Sequence, residues 1–453
     1  MRVNLFISSF RKYKRGIGAV IAFLAFAVVF SISHKALWYL LVDDTNSYTR
    51  ITLHEMYHQQ ENIDVLFLGS SHCYRSLDTS VTDRLFEANT FNGGSSSQNW
   101  DGSFALLQEA GKQYQLKKVY VEMYCHMAGR NYKERSDLTS TYLISDYMKP
   151  SFTRVRYLIN ASSPEYWIHG FFPERRNWHK LFERLYVSGL IKKKSSDSYK
   201  NYGYVGNPNT DEEYYAGKGF VASRKFIEKE GYVKNTHSDS VAKTFSEDDI
   251  TSLRNIIEYC RKHEIELCFF SAPMPDIVLV DAGEYDSYVT YVTDFFKGYD
   301  VPYYDFNLCK ADYFSYDSSL FKDMEHLNMY GAAQFSEVFS KFFTGKINAD
   351  DLFYPSYQDK LNAAGDWLYG LVYQLKVAEE EKTFTFEVIQ NGEVDYKASI
   401  YKKIEGEEEY VLIQEKDSLK PVSLPAEETG QLCISIFQKG CGEEPTNEVV
   451  IPY

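Results

Sequence analysis

The sequence predicts an α/β protein: a parallel sheet covered by helices, tethered by one N-terminal apolar helix and followed by a small β-sandwich. Three observations carry that expectation. An uncharged run of eighteen residues lies near the N-terminus, and short apolar strands alternate with amphipathic helices from about residue 64 to 345. Beyond residue 351 the apolar pattern changes to a period of two.

The uncharged run is Gly16 to Ser33, and a second apolar patch, Ala36 to Val42, follows His34 and Lys35. At 1.5 Å per residue this length nearly crosses a bilayer core, with Trp38 and Tyr39 at the interface. Arg11, Lys12, Lys14 and Arg15 precede the run, so the positive-inside rule places the N-terminus in the cytoplasm and the remaining chain outside. A cleaved secretory signal would also export the chain. No small-x-small cleavage site follows the apolar run, which favours an uncleaved anchor.

The strands expected for the sheet are Asp64–Leu68, Lys118–Glu122, Glu266–Phe270 and Pro302–Phe306, with a short β-like stretch at Thr90–Asn92. Ser246, followed by Glu247, Asp248 and Asp249, reads as a helix N-cap and acidic first turn. Ile250, Leu253, Ile256, Ile257 and Cys260 then recur at helical spacing. Gly331–Phe343 carries Phe335, Val338, Phe339 and Phe342 on one face and stops at Gly345.

Residues 125–245 interrupt this rhythm as a long insertion, whose first part, 125–200, holds 14 basic and 7 acidic residues. From Asp351 onward there is no arginine, and 9 lysines face 20 acids. Thr383–Val388 and Leu432–Phe437 alternate, and Asn391-Gly392 is a turn signal, as expected of an antiparallel sandwich. The division expected is an anchor over 1–42, an α/β domain over 43–349 and an immunoglobulin-like sandwich over 350–453.

Charge narrows the function classes. Residues 1–35 hold six basic residues and no acid, and the rest of the chain holds 43 basic against 63 acidic residues. An ectodomain this acidic lacks the basic face of a nucleic-acid binder. Seven cysteines are too few, and odd in number, for a disulfide scaffold; Cys433 and Cys441 are placed to pair across a hairpin, though spacing alone does not settle connectivity.

The candidate chemistry begins where the first strand ends, at Gly69-Ser70-Ser71-His72. Loops at the C-terminal ends of parallel strands are where open α/β sheets hold ligands. Far downstream lies Asp323-Met324-Glu325-His326, entering a helix. A carboxylate three residues before a histidine can fix its tautomer and leave the other ring nitrogen to take a proton from a serine. After Thr90–Asn92 come Gly93 and Gly94, where backbone N–H groups can approach an oxyanion closely.

This order of motifs resembles the SGNH/GDSL hydrolase superfamily over about residues 62–345, with the insertion unmatched. The resemblance implies a flavodoxin-like three-layer domain, with Ser71 as nucleophile, His326 as base, Asp323 as its orienting acid and Gly94 or Gly93 as oxyanion donor. The anchored architecture and the Gly-Ser-Ser form are similar to the extracytoplasmic D-alanyl transfer proteins of teichoic-acid modification and to alginate O-acetylation proteins. That likeness implies an acylated cell-envelope carbohydrate as substrate and a multi-spanning membrane acyltransferase as partner. One departure stands out: the family's asparagine after the third strand is replaced by Val121-Glu122-Met123-Tyr124. The missing donor then falls to Gln98, Asn99 or Tyr124, or the chain is an inactive descendant.

His54-Glu55-Met56-Tyr57-His58 is a literal HExxH, with two histidines on one helix face. No third ligand continues the motif, and the first strand follows only six residues later, so it reads as the solvated face of a packing helix. Cys73 reads as a small buried side chain and Lys192-Lys193-Lys194 as a solvated face that could draw an anionic glycan. The sequence therefore points to an extracytoplasmic serine esterase or O-acyltransferase that requires no metal or organic cofactor. The alternatives are a non-catalytic envelope-binding protein and a zinc peptidase built on His54 and His58.

Overall fold

A computed structural model describes residues 3–129, 131–132, 138–202, 212–227, 232–241, 243–442 and 444–453. Arg2 of the basic N-terminal stub and residues 130 and 133–137 of the basic insertion lie outside the described residues. Val3–Leu41 forms one helix, of which Ile17–Leu41 is long and apolar enough to cross a membrane.

Five strands build the central sheet: β1 (Val65–Leu68), β2 (Thr90–Asn92), β3 (Lys118–Glu122) and, after the insertion, two more. The insertion contributes β4 (Glu213–Gly217), β5 (Phe220–Ser223) and β6 (Tyr232–Lys234), and the chain re-enters the sheet as β7 (Glu266–Ser271) and β8 (Tyr303–Asp305). The order is β2-β1-β3-β7-β8 and every pairing is parallel.

Successive strand residues point to opposite faces and are buried on both, which explains the uninterrupted apolar runs. Leu66, Leu68, Val119, Val121, Leu267 and Phe269 pack under helices Trp100–Gly111, Glu247–Lys262 and Tyr285–Lys297. Val65, Phe67, Tyr120, Cys268 and Phe270 pack on the other side with Cys73, Leu77, Phe335 and Phe339. The helix at Glu247 starts with a reciprocal capping box: Ser246 Oγ accepts from Asp249 N, and Asp249 Oδ2 accepts from Ser246 N.

Strands β9 (Trp367–Val377), β10 (Glu381–Asn391), β11 (Tyr396–Ile404), β12 (Val411–Lys416), β13 (Val422–Pro425), β14 (Gly430–Gln438) and β15 (Asn447–Pro452), joined by β6, form two four-stranded sheets. They enclose a separate core that includes Leu371, Phe384, Ile400, Leu432 and Ile434. Asn391-Gly392 is a turn, with Gly392 at φ +71°.

Four expectations are corrected here. The boundary expected at 349/350 falls instead before Trp367, because Tyr357 and Leu361 of helix Tyr357–Ala364 belong to the α/β core. Lys360 ties the same helix down, donating to Asp276 Oδ1 at 2.6 Å and to the Asn307 carbonyl at 3.0 Å. The sandwich is not formed by residues 350–453 alone, since β6 of the insertion pairs parallel with β9. All seven cysteines are free, so Cys433 and Cys441 are not bonded. Lys192–Lys194 is not uniformly solvated: Lys194 is buried, pairing with Asp44 at 3.0 Å and donating to the Val42 carbonyl at 2.6 Å.

Candidate active site

Parallel strands deliver their following loops to one edge of the sheet. The helices after β1 pack on one face and the helix after β2 on the other, so the chain reverses side at β1. A crevice opens at such a reversal, beyond the strand carboxyl ends. Ser71 is the first residue of the short helix Ser71–Ser76 that leaves β1 there.

The turn into that helix needs Gly69. A Cβ at this position would lie 2.5 Å from Glu122 Cβ and 2.9 Å from Cys73 Cβ. Ser70 caps the helix, its Oγ accepting from His72 N at 3.2 Å. Glu122, the last residue of β3, accepts from both Ser70 N and Ser70 Oγ. Burial pushes the Glu122 carboxyl up to about 7, and the two bonds from Ser70 offset only part of that shift.

The partner loop lies 255 residues downstream. Phe321 bridges Leu327, and Lys322 N donates to the His326 carbonyl at 2.9 Å, folding 322–327 into a tight turn. Asp323 Oδ1 accepts from Glu325 N and His326 N, which locks the carboxylate beside the ring. Asn328 then caps helix Met329–Phe343 by accepting from Tyr330 N and Gly331 N.

The result is a hydrogen-bonded relay. His326 Nε2 lies 2.7 Å from Ser71 Oγ, and His326 Nδ1 lies 2.9 Å from Asp323 Oδ1 and 3.2 Å from Oδ2. Burial pushes the Asp323 carboxyl upward, but the hydrogen bond and charge of His326 outweigh it and hold it well below the ordinary range. Asp323 therefore stays ionised, as an orienting carboxylate must.

The insertion braces this turn. Lys322 Nζ donates to Glu213 Oε1 of β4 at 2.5 Å, and Arg75 pairs with the same oxygen at 3.1 Å. Lys322 also lies 3.6 Å from Asp323 Oδ2. The ion-pair chain thus links the helix of Ser71 to the turn of Asp323 through β4.

The N–H groups expected to serve the oxyanion have acceptors within the protein. Gly93 N donates to the Phe67 carbonyl at 2.8 Å and Gly94 N to Asn92 Oδ1 at 3.1 Å, so both expected donors are engaged inside the loop. Gln98 Nε2 donates to Ser103 Oγ at 3.0 Å. The Ser71 N–H, by contrast, faces no acceptor among the described residues. A cavity of about 260 Å³, lined in part by Tyr74, Arg75, Gly94, Ser95 and Ser96, adjoins the loop.

Sequence reasoning gave no role to His72 or to Glu122. His72 is buried, its ring stacked 3.9 Å from Tyr124 and 4.8 Å from His326. Burial, and after it the neighbouring His326, hold His72 well below the usual imidazole range, so it is neutral. The signals were an acid closing a buried strand and a second histidine beside the serine. His72, Glu325 and His326 bring ligand-type atoms within 4.8 Å of one another, but His326 Nε2 already faces Ser71.

The HExxH residues lie on helix Tyr48–His58 and do other work. Glu55 Oε2 accepts from the Tyr215 hydroxyl and from Lys218 N at 2.9 Å, holding the β4–β5 hairpin. His54 stacks on Tyr202, and His58 Nδ1 lies 2.7 Å from the His54 carbonyl. Cys73 is fully buried, its Sγ donating to Asn92 Oδ1 at 3.4 Å.

No family model and no curated protein matches this chain. Among solved structures, a gut microbial diltiazem-metabolizing enzyme is similar at 14% identity and a TM-score of 0.20, over 73% of this chain and 57% of that one. The chain therefore spans just over half of that protein. β-Glucosidase 3B from Thermotoga neapolitana in complex with glucose aligns at 10% identity and a TM-score of 0.14, over 86% and 75% of the two chains. Likeness at this level carries no argument about fold or chemistry.

Proposed function

We propose that this chain is a membrane-anchored serine esterase or O-acyltransferase of the SGNH type, working outside the cytoplasm on an acylated envelope carbohydrate. The supporting observation is the 2.7 Å approach of Ser71 Oγ to His326 Nε2, with Asp323 on the other ring nitrogen. The strand order β2-β1-β3-β7-β8 suits the flavodoxin-like domain that this reading requires.

In the reaction, Ser71 Oγ attacks the ester carbonyl carbon as its proton passes to His326 Nε2. The tetrahedral intermediate collapses, His326 returns the proton to the departing alkoxide, and Ser71 is left acylated. Water or a carbohydrate hydroxyl, deprotonated by His326, then takes the acyl group. Asp323 stabilises the imidazolium formed in both halves. The Ser71 N–H serves the oxyanion, and the Gly94 N–H joins it by exchanging Asn92 Oδ1 for substrate oxygen. A multi-spanning membrane acyltransferase would supply the acyl group in the transfer direction.

The test is fluorophosphonate labelling of the full chain in detergent, with the adduct mapped by mass spectrometry. Labelling at Ser71 that disappears in Ser71→Ala and His326→Ala is expected. Folded, unlabelled wild type would overturn the reading. The engaged Gly93 and Gly94 N–H groups favour a second reading in that event, a non-catalytic envelope-binding protein.

A further inference from the structure

The outer end of the apolar helix is clasped by the insertion. Phe172 packs edge-on against Phe30 at 5.9 Å and His34 at 5.8 Å, and His34 Nδ1 lies 2.9 Å from Glu174 Oε1. Asn177 Nδ2 and the Tyr186 hydroxyl both donate to the Leu41 carbonyl, at 3.1 and 2.9 Å. The height of these contacts along the helix matters most. Counted from Arg15, the last of the basic cluster, twenty residues of helix measure about 30 Å, the thickness of a hydrocarbon core. That core ends near Lys35. Phe30 then lies about 7 Å inside its outer boundary, and Phe172 reaches the same depth.

The same segment is apolar on its open side. Leu185 is 89% exposed, Phe182 83% and Trp178 63%, with Leu181 and Ile191 also exposed. Side chains of this size, grouped beside a span, mark an interaction surface. Residues 173–191 also carry four basic and two acidic side chains. Tryptophan and large apolar residues interleaved with arginine and lysine are what the boundary between headgroups and acyl chains accommodates.

We propose that residues 173–191 form a second membrane-contacting element, lying in the outer-leaflet interface beside the span, with Trp178, Phe182 and Leu185 in lipid. The occupant of this apolar face is lipid, because the face continues the lipid-exposed surface of the helix that it grips. The inference rests on Ile17–Leu41 being a retained span. Its consequence is a two-point attachment, which holds the α/β domain at a set orientation over the bilayer where a single helix would leave it free to pivot.

The test uses the full chain in lipid nanodiscs at one copy per disc, with Cys433→Ser and Cys441→Ser to remove the partly exposed thiols. Spin labels are placed one at a time through Phe182→Cys, Leu185→Cys, Ile21→Cys in the span and Lys416→Cys on the exposed sandwich. Collision rates with dissolved oxygen and with a water-soluble nickel chelate are then compared. The 182 and 185 labels are expected to favour oxygen, as the Ile21 label does. Labels at 182 and 185 that match Lys416, while Ile21 stays in lipid, overturn the inference and leave the anchor standing. Labels shielded from both reagents overturn it in favour of a protein partner. A nickel-accessible label at position 21 would sink the anchor reading, and the inference with it.

Discussion

Glu122 Oε2 accepts two hydrogen bonds from Ser70, one from the backbone N–H and one from the hydroxyl, each at 2.8 Å. A carboxyl at the end of the third strand therefore holds the residue immediately before the proposed nucleophile. Position 122 thus works as an acceptor that shapes the turn.

Glu122 should make stability depend on pH. Its carboxyl sits at about 7 in the fold, above its ordinary value of 4.5, because burial disfavours the anion. A raised acid pKa means the folded state binds the extra proton, so stability is greatest below about pH 4.5 and falls as pH rises through 7. The loss is on the order of 3 kcal/mol across that window. Glu122→Gln keeps an acceptor for Ser70 and should flatten this dependence, measured as thermal midpoints of the detergent-solubilised chain from pH 4.5 to 8.

Gly69→Ala should disable the site although it replaces none of the three relay residues. The added Cβ meets Glu122 Cβ at 2.5 Å, which forces the β1 turn and Ser71 to move. Overpacking of this kind costs about 1–3 kcal/mol. A lowered melting temperature with loss of fluorophosphonate labelling is the expected pair of results; unchanged labelling would count against the assigned turn.

Asp323→Asn should lower turnover of an activated acetate ester by about 10³-fold while leaving the fold intact, because the amide presents the wrong partner to His326 Nδ1. Steady-state rates with a chromogenic ester, alongside Ser71→Ala as baseline, decide it. A rate within threefold of wild type would remove Asp323 from the mechanism.

His54→Ala, His58→Ala and added chelator should leave that ester turnover unchanged. Glu55→Ala should instead destabilise the β4–β5 hairpin by about 1–3 kcal/mol, since Tyr215 and Lys218 N lose their acceptor. Zinc bound at one equivalent, with activity lost on chelation, would reverse this assignment.

Lys194→Ala should loosen the clasp around the C-terminal end of the apolar helix. It leaves Asp44 buried with one fewer partner and removes a cation held 4.3 Å over the Trp38 ring. Asp44 keeps Arg50 and the Tyr199 hydroxyl, so the cost is that of a lost charged hydrogen bond, about 1–3 kcal/mol. Faster proteolysis within 173–200 is the expected readout.

What the amino-acid order determined by itself was local. The apolar helix, the five short strands, the Ser246 N-cap and the alternating strands beyond residue 367 all follow from periodicity and end signals, which act over a few residues. The chemical vocabulary was legible too: a serine closing β1, glycines after β2 and an Asp-x-x-His turn before the last helix of the α/β domain. Tertiary structure decided what touches what. Ser71 meets His326 across 255 residues because parallel strands place both loops at one edge, an arrangement set by sheet order. It also turned Gly93 and Gly94 N–H inward, buried Lys194 and lent β6 to the sandwich. Hydrogen bonds and ion pairs between distant segments leave no period in the sequence, so only the folded chain reveals them.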